Sequence, residues 1–399
     1  MRRKYSIGVA LLLAAAAAFA AQPCPTELAA TASRVSALRH LATPLAPPCR
    51  WVAQDQVRRV LDTKLRHDLP LPPELFLESL TRLGLIDADP PGLYSRLLDF
   101  YASQVLGFYE PSTDSMVLVA NPVAPSSTAP LVWAHELEHA AQEHLFHLPS
   151  RLLGMADDGD AQRAASAMAE GDAMLVMFVL NAPPDAPADT LDAAAATLAN
   201  QAEATEPPPG LPRYFVADLT FPYAAGFSTV LAAYRRGGWP AVNALLADPP
   251  PSTADLLHPD DPVQTPPVGD GELPAAPAGF TTVTTDTLGE WGLRFLLARH
   301  LPAKEAERVA AGWAGDRLRL VRSDADPGRW GLAWRLRCRS AGARRELLEA
   351  LRHVLPAALS GLRGHGRPTS LVAEAVAGSS RDIEVLAAWP EATSTAPRR

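Results

Sequence analysis

The chain has 399 residues, of which 48% are hydrophobic and 20% charged, so it is long enough and apolar enough to fold around a large core. Its formal net charge is -8. An acidic chain is a poor partner for nucleic acid or an anionic membrane surface, and we expect no nucleic-acid partner. Proline is frequent, with 39 residues, many of them clustered.

The first twenty residues have the composition of an export signal. Three basic residues at positions 2–4 precede an apolar run from Ile7 to Ala20, and Ala18 and Ala20 place small residues at the -3 and -1 positions. We expect residues 1–20 to be a signal peptide that is cut near Ala20, and the mature protein to be periplasmic or secreted. No other run looks long and apolar enough to span a membrane, so we expect no stable membrane insertion after cleavage.

Three cysteines follow the predicted signal peptide. In an exported protein, Cys24 and Cys49 are a plausible disulfide that ties down the N-terminal segment, and Cys338 is left over. Their spacing is not that of a metal site, so we do not expect sulfur ligands.

The segment up to about residue 105 is predicted to be helical, and residues 107–120 are predicted to form β-strands. Apolar residues recur at helical spacing in 25–66, and further helices are predicted at about 74–84 and 93–105. The strands Gly107–Glu110 and Ser115–Ala120 then flank a four-residue turn, which predicts a β-hairpin.

A run without Gly or Pro from Leu131 to Leu148 contains the motif His-Glu-x-x-His. On a helix, His135 and His139 stand one turn apart on the same face, so both imidazoles can reach one tetrahedral metal ion. Zinc favours such nitrogen ligands. Glu136 follows the first ligand and can act as general base.

The next predicted helix, Asp157 to Asn181, offers a third ligand. Glu170 immediately precedes a wholly apolar run, and a buried carboxylate needs a cation or a partner. Gly171 weakens a helix by about 1 kcal/mol relative to Ala, so it indicates close approach of another backbone, for which the motif helix is the expected partner.

Other third ligands on the motif helix fit less well. The metzincin pattern requires a histidine six residues after His139, where Leu145 stands. His144 and His147 lie too far along the helix axis to share one ion with both motif histidines. We interpret them as partly exposed helix residues.

Helices are predicted at 189–203, 224–235 and 239–247. The proline-rich stretch 248–280 resembles an extended loop or linker rather than packed structure.

The C-terminal part is predicted to contain both helices and strands. Leu288–Leu301 and Ala303–Ala314 read as helices, and 341–358 as another. Alternating residues at Leu318–Arg322 and Leu332–Arg337 predict a second hairpin. Weaker strand candidates contain Val372, Ile383 and Val385.

Two histidines on one helix and a glutamate on the next resemble the gluzincin arrangement of thermolysin-like enzymes. More closely, the chain resembles a family of poorly characterised, exported bacterial and archaeal proteins of predicted peptidase type. The similar stretches lie within roughly residues 95–350. They are Gly107–Pro111, Ala134–Gln142, Glu170–Ala173, Phe221–Tyr223 with Gly226, Gly237–Trp239, Pro251–Thr253 with Leu257–Pro259, Leu288–Gly292 and Ala310–Arg317.

The resemblance implies one Zn²⁺ per chain, with His135, His139 and Glu170 as ligands and Glu136 as general base on zinc-bound water. It implies hydrolysis of peptide bonds in a peptide or protein substrate. For the oxyanion donor it suggests Tyr223 and His258, with Tyr109 as a third candidate. It also implies that the β-hairpin before the motif helix lines the cleft, because an edge strand there pairs with an extended substrate backbone.

The chain departs from these families at three places. Thermolysin-like enzymes carry an aspartate four residues after the ligand glutamate, where this chain has Met174. Asp172 is a possible support for a ligand histidine, although two residues along a helix direct it elsewhere. Leu145 and His147 stand where the closer family usually has His and Asp.

We therefore predict an α+β fold that is predominantly helical, with a zincin-like core, a β-hairpin beside the active-site helix and a C-terminal α/β portion. The predicted divisions are a signal peptide at 1–20, an N-terminal helical segment at 21–70, a zincin-like catalytic domain at 71–247, a linker or loop at 248–280, a C-terminal α+β portion at 281–390 and a disordered tail at 391–399.

Two further functions stay open. The protein could be a non-catalytic zinc-binding structural or interaction protein of the envelope, although a structural site needs no base such as Glu136. It could also be an export-linked binding module whose function lies in 281–399. The sequence carries no signal for an oligomeric state.

Overall fold

The computed structural model describes residues 23–69, 71–87, 92–120, 129–155, 157–183, 186–187, 189–362 and 370–388. The predicted signal peptide and the predicted tail lie outside the described residues. The fold is α+β and predominantly helical with two sheets, which confirms the predicted class.

The N-terminal elements surround a small sheet. They are α1 (Thr26–Leu38), β1 (Cys49–Ala53), α2 (Gln54–Asp68), α3 (Pro73–Arg82), α4 (Leu93–Gln104), β2 (Gly107–Glu110) and β3 (Ser115–Ala120). The hairpin of β2 and β3 is confirmed, and its order in the sheet, β1-β3-β2, places β2 at an edge.

Strand β1 corrects the helical prediction for 25–66. It pairs in parallel with β3, with Trp51 opposite Leu118. The strand directly follows Pro47 and Pro48, which disfavour helix there, and its short apolar stretch gains ladder hydrogen bonds that helical spacing does not reveal. The disulfide between Cys24 and Cys49 is confirmed and joins the start of α1 to β1.

A group of long helices follows, comprising α5 (Ala129–Phe146), α6 (Leu148–Gly154), α7 (Gly159–Asn181), α8 (Thr190–Ala204) and α9 (Arg213–Ala247). Helix α7 agrees with its prediction, and Asp158 caps it by accepting a hydrogen bond from the Ala161 amide at 3.1 Å. Helix α9 starts at Arg213 and not near 224 as predicted. It is interrupted by non-helical backbone at Gly237 and Gly238, which has a φ of 60°.

The proline-rich stretch is packed, contrary to the expected free linker. It contains α10 (Thr253–Leu257), in which Thr253 and Leu256 are buried. Guanidinium groups of the C-terminal sheet donate to its carbonyls, as Arg319 does to Pro274 and Arg337 to Pro266. Proline carbonyls remain strong acceptors, so backbone carbonyls of this segment can anchor it to the sheet. Such contacts leave no periodic pattern in the sequence.

The C-terminal elements are β4 (Phe280–Asp286), α11 (Gly289–Ala298), α12 (Ala303–Ala310), β5 (Trp313–Ser323), β6 (Trp330–Cys338), α13 (Ala341–Ala358), β7 (Leu371–Ala375) and β8 (Asp382–Ala387). They build an antiparallel sheet of order β4-β5-β6-β8-β7, whose β5–β6 hairpin was predicted. Trp313 and Ala314 begin β5 and do not continue a helix. Strand β4 was not predicted.

The apolar core crosses the boundaries predicted from the sequence. One buried cluster joins Leu61 and Leu98 of the N-terminal helices to Leu293 and Trp330 of the C-terminal part. A second cluster joins α1, α5, α7 and α9. The predicted domain limits stay a prediction.

Among the described residues, helices α7 and α9 are long and apolar enough to cross a membrane by length and composition. The sequence analysis expected no such run after the signal peptide. The apolar window of α7 is 67% buried inside the protein, and that of α9 is 39% buried. Core helices of folded proteins meet the same criterion.

Candidate metal centre

Helices α5 and α7 bring the three predicted ligands together. His135 Nε2 lies 3.2 Å from His139 Nε2 and 3.1 Å from Glu170 Oε2, and Glu170 Oε2 lies 3.7 Å from His139 Nε2. The ligand atoms of this group all lie within 4.8 Å of one another. Two imidazole nitrogens and one carboxylate oxygen are a donor set that suits zinc and leaves a fourth position open.

The charges of the three groups are coupled. Burial acts to raise the pKa of the Glu170 carboxyl, but His139 and His135 outweigh it and hold that pKa well below its usual range. Burial alone lowers the pKa of His139, and Glu170, Glu136 and Gln142 together raise it to about 9. The metal-free site therefore stabilises the protonated form of His139.

Glu136 lies beside the edge strand β2. Its Oε2 accepts a hydrogen bond from the Tyr109 backbone amide at 3.0 Å. Burial raises the pKa of the Glu136 carboxyl, and the charge of Glu170 adds to the increase, while both histidines and the Tyr109 amide oppose it. A carboxylate with a raised pKa is a stronger base.

Gln142 is a functional candidate that the sequence prediction missed. It is fully buried and contacts His139 Nδ1 through Oε1 at 2.9 Å. Its Nε2 donates to the Ala169 carbonyl at 2.8 Å and to Asp172 Oδ2 at 2.9 Å. Asp172 therefore reaches the predicted ligand His139 through Gln142, contrary to the direction expected from helix periodicity. The signal was available in part, since Gln142 lies one turn after His139 on an apolar helix face.

Tyr223 is the oxyanion candidate that the structure places at the site. Its ring stacks on His135 with centroids 6.0 Å apart and an interplanar angle of 23°. Burial and the neighbouring carboxyls of Glu170 and Glu136 raise the pKa of Tyr223 well above its usual range, so its hydroxyl keeps the proton that an oxyanion donor requires.

The other two candidates are engaged elsewhere. His258 Nε2 contacts Glu290 Oε1 at 2.7 Å, and His258 does not line the cleft around the ligands. His258 caps the C-terminal end of α10 and joins this helix to α11 through Glu290. The Tyr109 hydroxyl donates to Asp114 Oδ1 at 2.8 Å, so the Tyr109 residue meets the site through its backbone amide.

The structure also places the rejected ligand candidates His144 and His147, and Met174, the position that departs from thermolysin-like enzymes. His144 contacts Asp114, and the exposed His147 contacts Glu143, so neither joins the ligand group. Met174 lines the cleft beside the ligands.

The predicted ligands open onto a cleft of about 250 Å³ between α5, α7, α9 and strand β2. Its walls are mainly apolar, and Glu136 and Glu170 are the acidic residues that line it. Within the predicted hairpin, strand β2 lines the cleft through Gly107, Phe108 and Tyr109.

A domain family of unknown function, DUF8575, matches residues 278–385. This region comprises most of the C-terminal sheet with α11, α12 and α13. It does not include His135, His139 or Glu170. No curated protein matches the chain, and no solved structure matches it.

Proposed function

We propose that the protein is a zinc-dependent peptidase of the gluzincin type that acts in the cell envelope or outside the cell. The observation that carries the proposal is the convergence of His135, His139 and Glu170 beside Glu136 at the floor of an open cleft. A structural zinc site needs a fourth protein ligand, whereas a catalytic site keeps that position free.

When bound, zinc supplies Lewis acidity, which polarises a carbonyl and makes a water molecule more acidic. Glu136 accepts the proton of the attacking water and passes it to the leaving amine. The Tyr223 hydroxyl donates to the oxygen on which negative charge develops. Apolar walls exclude bulk water, which strengthens both interactions.

An extended peptide fits the edge of the small sheet. Strand β2 pairs with β3 on one side, and no described strand pairs with its other side, where the Tyr109 amide donates to Glu136. We infer that a substrate backbone pairs along this edge. Such pairing would place a peptide carbonyl close to the ligands, because Tyr109 of the same strand already contacts Glu136.

The test compares metal content and hydrolysis for the mature protein, with unfolded casein and a peptide library as substrates. Wild type is expected to hold one zinc ion and to cleave. Glu136→Gln is expected to keep the zinc and to lose hydrolysis, because the amide cannot accept the proton. Glu143→Gln, on the same helix and in contact with His147 and Ser150, is the matched control.

His135→Ala is expected to lose the zinc, and unchanged metal content in this variant would reject the site. A wild type that binds zinc and cleaves none of the substrates would favour the alternative of a non-catalytic zinc-binding protein of the envelope.

A further inference from the structure

A line of buried polar side chains leads from His139 into the core. Gln142 Oε1 lies 2.9 Å from His139 Nδ1, Gln142 Nε2 lies 2.9 Å from Asp172 Oδ2, and Arg39 Nη1 lies 2.5 Å from Asp172 Oδ1. The side chains of Arg39 and Asp172 are 0% exposed. The line thus joins three separate segments: the C-terminus of α1, the middle of α5 and the middle of α7.

The orientation of the Gln142 amide follows from its partners. The Ala169 carbonyl and the Asp172 carboxylate both accept hydrogen bonds, so the NH₂ group of Gln142 must face them. Its carbonyl oxygen must then face His139, and only a protonated Nδ1 can donate to it. Nε2 faces His135 and Glu170 and is therefore the His139 nitrogen left to bind a metal ion.

Arg39 holds Asp172 in place. Its guanidinium donates to Asn243 Oδ1 at 2.7 Å, lies 2.7 Å from Glu138 Oε1 and stacks over the Trp239 ring at 4.5 Å from the centroid. These contacts hold the planar Arg39 guanidinium in one orientation. Removal of its charge would leave the Asp172 carboxylate buried beside the Glu138 carboxyl group without its cationic partner, which favours rearrangement of the Asp172 side chain.

We propose that Arg39 is a positioning residue of the metal centre: through Asp172 and Gln142, it holds His139 in the tautomer whose Nε2 can ligate a metal ion. The inference rests on the proposed metal site and not on peptidase activity. It also gives the N-terminal segment, which lies outside the predicted catalytic region, a part in the site.

The test measures zinc affinity by competition with a chromophoric chelator, together with thermal unfolding of the metal-free protein. Arg39→Met is expected to weaken zinc binding by about 10- to 100-fold, the usual effect of losing a partner behind a ligand. Gln142→Met should weaken it by a similar factor, because it breaks the line next to His139. Arg34→Leu removes a guanidinium from the same helix that reaches the Leu180 carbonyl at the surface, and it should bind zinc as wild type does.

A double-mutant cycle separates this role from a general structural one. If Arg39 acts through Asp172, then Arg39→Met should cost little further affinity in an Asp172→Asn background. The double variant loses one charge of each sign. Comparing its zinc affinity with that of Asp172→Asn therefore measures the further cost of Arg39→Met even if Arg39→Met alone does not fold. Arg39→Lys keeps the charge without the fork and should recover part of the affinity.

The inference is overturned if the Gln142→Met and Arg39→Lys proteins both bind zinc as tightly as wild type. It is also overturned if Arg39→Met costs the same factor with and without Asp172. Failure of the proposed site looks different, because wild type itself would then bind no zinc.

Discussion

Gly171 on α7 and Gly226 on α9 face each other where the two helices cross. A Cβ atom on Gly171 would lie 2.2 Å from the carbonyl carbon of Gly226, and a Cβ on Gly226 would lie 1.8 Å from the Ala167 carbonyl oxygen. The close approach predicted from Gly171 is therefore real, but its partner is α9 and not the motif helix. Because Glu170 precedes Gly171, this crossing also sets the position of the third ligand.

Gly226→Ala is expected to destabilise the protein by about 3 kcal/mol or more, because backbone atoms cannot move aside as a side chain can. Urea unfolding measures the loss. Gly271→Ala, where a Cβ would meet nothing within 4 Å, is the control. Equal stabilities of the two variants would contradict the crossing.

Tyr223→Phe is expected to lower kcat by about 10²- to 10³-fold, the usual effect of losing one oxyanion donor. The zinc content should not change, because the ring that stacks on His135 is retained. Steady-state kinetics and metal analysis check both points. Tyr234→Phe, on the same helix but packed against Trp239, should keep wild-type turnover, and an equal loss in both variants would argue against a role for the Tyr223 hydroxyl.

Asp160 should make the protein less stable as the pH rises. Burial raises the pKa of its carboxyl to about 8, although Thr253 donates to both of its oxygens. The unfolded chain releases this proton near its ordinary pKa of 3.8, so between these values the folded state holds more protons. The contribution is complete below about pH 4 and is lost as the pH rises through 8, with a slope of up to about 1.4 kcal/mol per pH unit.

The measurement is the free energy of unfolding from pH 5 to 8 for wild type and Asp160→Asn. The stability of wild type relative to this variant should fall with pH. Asp260→Asn, at an exposed position, is the control. If the relative stability does not change between pH 5 and 8, Asp160 is ionised in the folded protein throughout this range.

The three cysteines should differ in reactivity. Cys338 is 0% exposed, and burial raises the pKa of its thiol to about 12, so the native protein should react with no iodoacetamide at pH 8. Unfolding should expose one thiol, and reduction should expose three, because Cys24 and Cys49 are bonded. Mass spectrometry counts the labels, and a native protein that takes up two or more would contradict the disulfide.

Local chemistry explains which elements could be predicted. Helix α7 has an aspartate cap and a long apolar run, and the motif helix is free of Gly and Pro in its metal-binding part, so both were recognised. Strand β1 gains its identity from pairing with β3, and strand β4 is rich in threonine and follows the proline-rich segment. Neither carries a strong period of its own.

The same distinction holds at the site. The predicted ligands His135 and His139 have a fixed spacing on one helix, and Glu170 precedes an apolar run, so the sequence alone indicated that these three residues come together. The contact of Gln142 with Asp172 depends on the relative rotation of α5 and α7, which no spacing encodes. For Arg39 the relevant partners are 133 and 204 positions away.

That distance has a consequence for synthesis. A growing chain presents the histidine motif well before Asn243, the partner that lies 204 positions after Arg39. Glu170 and Tyr223 also follow the motif, so a ribosome-bound chain cannot complete the centre until α9 has been made. The proposed hydrolytic activity would thus begin only when most of the protein exists, which shields the growing chain and its surroundings from early cleavage.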